Sequence, residues 1–275
     1  MIKNPKISIV TATYNAIDNI EDTILSVINQ DYPNMEYIII DGGSTDGTLD
    51  VIRKYNNFIA KWISEPDCGL YDAMNKGIKM ATGTWITMRN SGDFFAEKNS
   101  LSKLFSDPIN EDIDFVCGAA YRITDLGYYI AHSTPLDINK PKMSIIHPAT
   151  FVRTSWHKHK LFEKQYTVCA DYNLIYKSVL EGKKFEFRNI PIVLFPEGGY
   201  STLHWDRGFR EGRKVEGRNS FWDKTFTEFL IVRRKIMSNI RHLLRSFSIF
   251  NKIRQKMLIE RLSIKPLPIP VEKFY

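Results

Sequence analysis

The chain has 275 residues, 43% hydrophobic and 25% charged, the composition of an ordinary soluble protein with room for a full α/β core. No apolar run approaches the roughly 18 to 20 residues of a membrane span, and the polar stretch Met1–Lys6 with the short Ile7–Val10 run does not read as a signal peptide. Net charge is +7 but uneven: residues 205–275 carry 17 Lys/Arg against 7 Asp/Glu, so a mildly acidic body is followed by a basic tail suited to an anionic surface.

The first half alternates strand and helix. Ile7–Thr13 reads as a strand and Asn19–Asn29 as a helix with Ile20, Ile24, Val27 and Ile28 on one face. Met35–Asp41 is a second strand, Thr48–Tyr55 a helix, Phe58–Ser64 a third strand, Leu70–Ala81 a helix and Thr84–Met88 a fourth strand. This rhythm predicts parallel βαβ units with right-handed crossovers. Beyond Asp93 it changes. Leu101–Phe105 reads as helix, and Phe115–Tyr121, Tyr128–His132, Ala149–Arg153 and Lys184–Arg188 as strands of a mixed sheet, with a helix over Asp171–Glu181. From Ile231 the pattern is helical and basic, with Ile236, Ile240, Leu243, Phe247 and Phe250 on one stripe, a break expected near Asn251 and a stop at Pro266, Pro268 and Pro270. Cys68, Cys117 and Cys169 are widely spaced, lack zinc-ligand pairing and read as reduced thiols of a cytosolic protein.

The most telling segment is Tyr37–Thr48, YIIIDGGSTDGT. A β-branched strand ends at Asp41 and a Gly-rich loop follows, placing a carboxylate at the carboxyl edge of a sheet, where open α/β sheets bind ligands. A carboxylate there repels phosphate but accepts hydrogen bonds from a ribose or a base N–H, so the pattern points to a nucleotide held by its nucleoside end. Thr11, Thr13, Tyr14 and Asn15 form the first strand-to-helix turn, with Tyr14 available to stack; an ordinary strand end plus cap is the competing reading. Asp46 before Gly47 also fits plain turn chemistry.

Asp72 and Lys76 are one helical turn apart near a helix start, either as a surface ion pair or facing a nucleotide-sugar. The fourth strand runs into Asn90, Ser91, Gly92 and Asp93, and an acid in such a turn can offer oxygen to Mg²⁺ or Mn²⁺ bridging two phosphates. Asp171 starts a helix, where capping is its default role. His147, Gly198 and Gly199 read as loop residues, the glycine pair also as a hinge of a closing loop.

Together, IVTATYN, YIIIDGGSTDGT, SEPDCGLYDAMNKGIKMATG, NSGD, HPATF, CADYNL and FPEGGYS resemble a family 2 inverting glycosyltransferase of the kind that builds bacterial surface polysaccharides of the colanic acid, O-antigen or capsule type. The resemblance spans about residues 6–202 and implies a GT-A fold: a Rossmann-like mixed α/β sheet flanked by helices, here residues 1–204, followed by a basic helical extension, 205–275. It implies a hexosyl- or N-acetylhexosaminyltransferase moving a sugar from a nucleotide diphosphate sugar, UDP favoured, to a saccharide hydroxyl on a polyprenyl-diphosphate-linked acceptor. Carried over, Thr11, Tyr14 and Asp41 hold the nucleoside and Asp72 lies beside the diphosphate, with Thr13, Lys76, Asn90 and Ser91 completing the donor site. Asp93 binds Mg²⁺ or Mn²⁺, Asp171 is the base, and His147, Gly198 and Gly199 face the acceptor or form a lid. The family's metal turn usually carries two acids; here Ser91 or Gly92 replaces the first.

The basic tail then suits the cytoplasmic face of an anionic membrane, the alternative being packing on the body or on a second copy of the chain. A non-catalytic nucleotide-sugar-binding or scaffolding protein is the main rival function, because the metal turn lacks one acid. TYNAIDN is neither Gly-rich nor basic, against a nucleotidyltransferase, and no GxGxxG follows a strand, against a dinucleotide oxidoreductase. Nucleic-acid binding is disfavoured by the few aromatics in the tail.

Overall fold

The computed structural model describes residues 4–196, 198–245 and 248–266. Two compact units emerge, one of residues up to Tyr121 plus Ile130–Phe195, the other of Arg122–Tyr129 plus the chain from Pro196. Among the described residues the strands form one sheet, β3-β2-β1-β4-β8-β6-β9-β5, with β7 paired to β6.

In the first unit β1 (Ile7–Thr13), α1 (Ile17–Ile28), β2 (Met35–Asp41), α2 (Thr48–Lys54), β3 (Lys61–Ser64), α3 (Leu70–Met80) and β4 (Trp85–Met88) follow one another. β1 pairs in parallel with β2 and β4, and β2 with β3. Ile7, Ile9 and Ile39 pack with Ile20, Ile24 and Val27 of α1 and Ile52 of α2 in one core cluster. α3 approaches β1 so closely that a Cβ at Gly77 would come 2.3 Å from Val10 Cγ1, which only glycine avoids. Helices on both faces explain why all seven β1 residues are buried.

The mixed half adds β5 (Phe94–Phe95), α4 (Ser100–Leu104), β6 (Phe115–Thr124), β7 (Gly127–His132), β8 (Thr150–Arg153), α5 (Thr154–His157), α6 (Ala170–Leu180) and β9 (Phe185–Pro196). β8 runs antiparallel to β4 and β6, and β5 antiparallel to β9.

Several boundaries differ from the sequence expectation. α1 starts at Ile17 rather than Asn19 because its first amides are met from another loop: Ala16 N donates to Thr48 Oγ1 at 2.9 Å and Ile17 N to Asp46 Oδ2 at 3.0 Å. The third strand begins at Lys61, since Asn56–Phe58 close into a 3₁₀ turn. β9 continues to Pro196, beyond the expected Arg188, because Val193 and Leu194 pair with Phe95 and Phe94.

The second unit holds α7 (Tyr200–Leu203), α8 (Trp205–Val215), α9 (Phe221–Arg245) and α10 (Ser248–Leu262). The basic helix starts ten residues ahead of the expected Ile231 because Ser220 and Asp223 cap it reciprocally, Asp223 N donating to Ser220 Oγ at 3.1 Å and Ser220 N to Asp223 Oδ2 at 3.3 Å. The break expected near Asn251 falls a few residues earlier, α9 ending at Arg245 and α10 beginning at Ser248; α10 runs through Asn251 and ends at Leu262, ahead of the expected proline stop. Phe247, Pro268 and Pro270 lie outside the described residues, as do the side chains of Leu243 and Phe250.

At the amino edge of the parallel strands Glu36 is buried and accepts from Ser8 Oγ at 2.5 Å, Thr82 Oγ1 at 2.7 Å, Lys6 Nζ at 2.9 Å and Gly83 N at 3.1 Å. Burial pushes its carboxyl up, but the bonds from Ser8, Thr82 and Lys6 outweigh it and pull it down to about 2 from an ordinary 4.5. A depressed carboxyl contributes stability that is present above the unfolded value and lost as pH falls from about 4.5 towards 2. Urea denaturation at pH 7 and pH 3 is expected to show Glu36→Gln costing on the order of 3 kcal/mol at pH 7 and much less at pH 3. An equal loss at both would show that the carboxylate's charge is not what the knot uses.

Candidate active site

The carboxyl edge of the parallel strands is organised around Asp41, which has no exposed surface. Its Oδ2 accepts from Gly43 N at 3.0 Å, Ser44 N at 2.9 Å and Ser64 Oγ at 2.7 Å, and its Oδ1 from Ser44 Oγ at 2.5 Å. Ser44 Oγ in turn accepts from Asn15 N at 2.8 Å, and Asn15 Oδ1 from Thr45 N at 2.9 Å. The DGGSTDGT loop therefore holds the TYN turn in place, with Asn15 itself at φ 45°. Asp46 completes it as turn chemistry, accepting from Thr48 N at 3.0 Å and Thr48 Oγ1 at 2.7 Å.

Two of the residues expected at the nucleoside lie beneath the surface in this geometry. Thr11 is fully buried and bonded through Oγ1 to Tyr37 OH at 2.9 Å, and the Asp41 carboxylate is fully buried and saturated by its own loop. Both shape the rim from beneath. The exposed surface belongs to Tyr14, 65% accessible, beside Gly42, where an added Cβ would come 3.3 Å from Tyr14 Cδ2 and 3.2 Å from Asp67 Oδ2. Thr13 is nearly buried and accepts from Ser91 Oγ at 2.7 Å, which ties the first turn to the NSGD turn.

In the NSGD turn Gly92 has φ 93°, Asp93 N donates to Asn90 O at 2.8 Å and Asn90 N to Asp93 Oδ2 at 3.1 Å. Burial lifts the Asp93 carboxyl to about 6, opposed by the charge of Arg89 and the Asn90 amide. Arg89, which the sequence reading passed over, is fully buried. Its Nη1 donates to Met88 O at 3.0 Å and to Pro148 O, its guanidinium lies 4.1 Å from the Phe95 ring centroid, and its Nε and Nη2 have no hydrogen-bond partner. Burial pulls it down to about 9, against the opposing pull of Asp93, so it stays charged at neutral pH.

Across the Pro148 bond lies His147, held low by burial, with the charge of Asp171 acting upward and that of Arg89 downward. It is neutral at pH 7. Asp171 is the second residue of α6 and not its cap, a position taken by Cys169. Its Oδ1 accepts from Tyr71 OH at 3.1 Å and Tyr172 N at 2.8 Å. Arg89 is thus bonded to the residue after His147, the His147 ring packs on Phe162 with centroids 5.8 Å apart, and the Phe162 ring lies 5.2 Å from that of Tyr71, the donor to Asp171.

The Asp72–Lys76 ion pair is not formed. Asp72 Oδ2 accepts from Cys68 N at 3.0 Å and its Oδ1 meets Lys164 Nζ at 3.0 Å, while Lys76 Nζ pairs with Asp67 at 2.5 Å and Glu65 at 2.7 Å. Tyr71 and Asn75, one residue before Asp72 and Lys76 on the buried face of α3, were missed by the sequence reading and do more to build the site. Tyr71 OH shares its one proton between Asp171 Oδ1 and Val168 O, the latter at 2.9 Å, and Asn75 makes a reciprocal pair with Phe162, Nδ2 to its carbonyl and Oδ1 from its amide, both at 2.9 Å. Their buried tips at i and i+4 were the available signal. Gly198, at φ 103°, and Gly199 belong to the second unit.

Among the described residues no group of three or more His, Cys, Asp or Glu could hold a metal ion. The turn nonetheless fits a divalent cation that takes its other ligands from phosphate and water. It offers the Asp93 carboxylate and, in the same turn, the Asn90 Oδ1, which is buried without a partner.

The family model for glycosyl transferase family 2 matches residues 8–181. The chain belongs to that family. TuaG of Bacillus subtilis, by its name a teichuronic acid biosynthesis glycosyltransferase, is 33% identical over 138 residues, 48% of this chain and 51% of its own. A Mycobacterium bovis protein named PGL/p-HBAD biosynthesis glycosyltransferase is 26% identical over 186 residues, 62% of this chain and 68% of its own. The chain thus spans about half the length of TuaG. Staphylococcus aureus TarS 1-349 in complex with UDP superposes with a TM-score of 0.60 at 18% identity, covering 81% of this chain and 68% of that one. The mannosyltransferase PcManGT of Pyrobaculum calidifontis, in complex with GDP-Man and Mn²⁺, gives 0.61 at 15% identity over 93% of this chain and 85% of that one. The fold of this family member is GT-A: a mixed α/β sheet flanked by helices.

The Asn75–Phe162 pair anchors the segment that leads to Asp171. Asn75→Ala leaves a buried amide and carbonyl of Phe162 unpaired and is expected to cost about 2 to 3 kcal/mol by urea denaturation. A loss below about 0.5 kcal/mol would mean that water replaces the carboxamide without penalty.

Proposed function

We propose that the chain transfers one sugar, with inversion, from a nucleotide diphosphate sugar to a hydroxyl of a saccharide acceptor in bacterial surface-polysaccharide synthesis. The observation that carries this reading is the Asp171 carboxylate positioned by Tyr71 OH and Tyr172 N, in the same unit as a turn whose Asn90 Oδ1 is buried without a partner. A uridine diphosphate sugar is the favoured donor, in keeping with the UDP and UDP-GlcNAc bound by TarS. Tyr14 stacks against the base, Thr13, Asn90 and Ser91 line the donor site, and Asp72 and Lys76 lie towards its diphosphate. Thr11 and Asp41 support that rim from below.

Asp171 takes the acceptor hydroxyl's proton as the oxygen attacks the anomeric carbon from the face opposite the leaving diphosphate. Tyr71 holds Oδ1 at 3.1 Å and so aims the carboxylate. His147, neutral, lies alongside without competing for the proton, and faces the acceptor. Asp93, with Asn90, would hold Mg²⁺ or Mn²⁺, which when bound offsets the negative charge gathering on the leaving diphosphate. Gly198 and Gly199 are retained as hinge residues of a lid.

The acceptor on this reading is carried by a polyprenyl diphosphate, and α9 is the membrane contact on the cytoplasmic face. Phe221 is 74% and Trp222 77% exposed, and Phe226, Phe229, Val232, Ile236 and Ile240 continue an exposed apolar stripe. Arg233, Arg234 and Lys235 supply charge beside it. Among the described residues no helix is long and apolar enough to cross a membrane, so the contact is interfacial.

Two measurements test the proposal. Asp171→Asn is expected to lower turnover about 10²- to 10⁴-fold while UDP binding, followed by calorimetry, is retained. Near-normal turnover would assign the base elsewhere, and no transfer by the wild type to any acceptor would favour a donor-binding scaffold. Flotation with anionic liposomes should fall at least about tenfold when Trp222, Phe226 and Phe229 are all replaced by Ser; equal partitioning would hand the stripe to a protein partner.

A further inference from the structure

The hydroxyl of Tyr71 has one proton and two acceptors, Val168 O at 2.9 Å and Asp171 Oδ1 at 3.1 Å. The side chain is buried on α3, and its ring is braced by Phe162, which Asn75 holds in turn through the reciprocal pair. Burial first, and then the charge of Asp171, raise the phenol well above its ordinary range, so it stays a donor. The hydrogen bonds that the Asp171 carboxylate accepts from the described residues both fall on Oδ1, from Tyr71 OH and from Tyr172 N at 2.8 Å. Its other oxygen, Oδ2, is left for the acceptor.

We infer that Tyr71 is a positioning residue whose shared hydroxyl fixes Oδ2 as the basic oxygen of Asp171 and turns to Val168 O once that oxygen is protonated. The inference rests on the reading of Asp171 as the base and adds which atom takes the proton and how the aim survives the transfer. The two oxygens of a carboxylate exchange by rotation about a broad terminal torsion. Two donors on Oδ1 stop that rotation. In the transfer the acceptor hydroxyl's proton moves to Oδ2 and the oxygen's freed pair bonds the anomeric carbon. The bond from that carbon to the diphosphate oxygen breaks, and its pair leaves with the diphosphate.

Asp171 is then a neutral acid, and Oδ1 has become a carbonyl oxygen, a weaker acceptor than a carboxylate oxygen. A donor with no other partner would resist this change, because a hydrogen bond to the charged form favours that form and weakens the base. Tyr71 has another partner. Its proton turns to Val168 O, while the Tyr172 amide keeps hold of Oδ1. The shared bond thus aims the carboxylate strictly at a small cost in base strength.

The spectroscopic test places 3-fluorotyrosine at position 71 of the full-length chain and follows its ¹⁹F resonance, which reports what the adjacent hydroxyl donates to. Asp171→Asn, whose neutral carboxamide stands in for the protonated acid, should move that resonance by more than its linewidth. An unmoved resonance would overturn the inference. The kinetic test follows UDP released from UDP-GlcNAc with Mn²⁺, water standing in for the acceptor hydroxyl. Tyr71→Phe should lower kcat at least about tenfold and leave KM for UDP-GlcNAc within about twofold. A raised KM with kcat kept would make Tyr71 a packing residue only and would also overturn it. Wild-type UDP release by Asp171→Asn would fall on Asp171 as the base, and on this inference with it. Slow release by Asp171→Asn beside wild-type kcat in Tyr71→Phe would remove the inference alone. Should Tyr71→Phe fail to fold, or UDP-GlcNAc not be turned over, the ¹⁹F comparison decides.

Discussion

A carboxylate buried at a strand end must collect its full set of donors from the chain around it, and Asp41 shows how much structure that requirement creates. Four hydrogen bonds converge on it from Gly43, Ser44 and Ser64. To supply them the loop after β2 must curl back over the strand, with Gly43 at φ 84°, a conformation costly to any residue with a Cβ. Once curled, Ser44, Thr45, Asp46 and Thr48 present their own groups to Asn15, Ala16 and Ile17. The entry of α1 and the placement of Tyr14 are consequences. The first acid of the motif does its work without touching solvent.

The same accounting separates structural acids from chemical ones. Glu36, at the opposite edge, is satisfied by hydroxyl, amide and ammonium donors and its carboxyl is pulled down to about 2. Asp93, flanked by one amide and an incompletely paired guanidinium, is lifted to about 6. A carboxamide oxygen and two guanidinium nitrogens are left without partners next to this carboxylate, the kind of under-satisfied group that a ligand completes. Asp41 and Glu36 hold the sheet's two edges; Asp93 is where the edge is left open.

The alternation of strands and helices to Met88 was legible because each element carries its own periodicity: Ile20, Ile24 and Val27 at helical spacing, and Ile38, Ile39 and Ile40 as a doubly buried strand. The parallel half of the sheet and its ligand edge followed from that. What was not legible depends on partners far away in sequence. Nothing local says that Thr48 will cap α1, that Phe94 and Phe95 will extend β9, or that Lys164 will take Asp72 from Lys76. In the site, Asp93, Asp171 and His147 stood out as polar residues in turns. Arg89, Tyr71 and Asn75 did not, because an arginine before a turn and polar residues on an amphipathic helix are ordinarily solvent-facing, and only the packed structure reveals that these point inward.

The surroundings of Asp93 and Asp171 also bear on how two acids of one unit avoid defeating each other. Like charges held close in a low-dielectric pocket force one of them to take a proton, and a base so protonated cannot accept another. The charge of Arg89, four residues from Asp93, opposes the lift that burial gives the Asp93 carboxyl, and the His147 imidazole is held low by its own burial. Asp171 instead receives donors from Tyr71 and the Tyr172 amide at the first turn of α6, where the helix dipole also favours a negative group. The two carboxylates thus differ in their neighbours: Asp93 is lifted by burial against the charge of Arg89, and Asp171 keeps two donors of its own. Arg89 is in turn fixed to the segment that carries His147 through the carbonyl of Pro148.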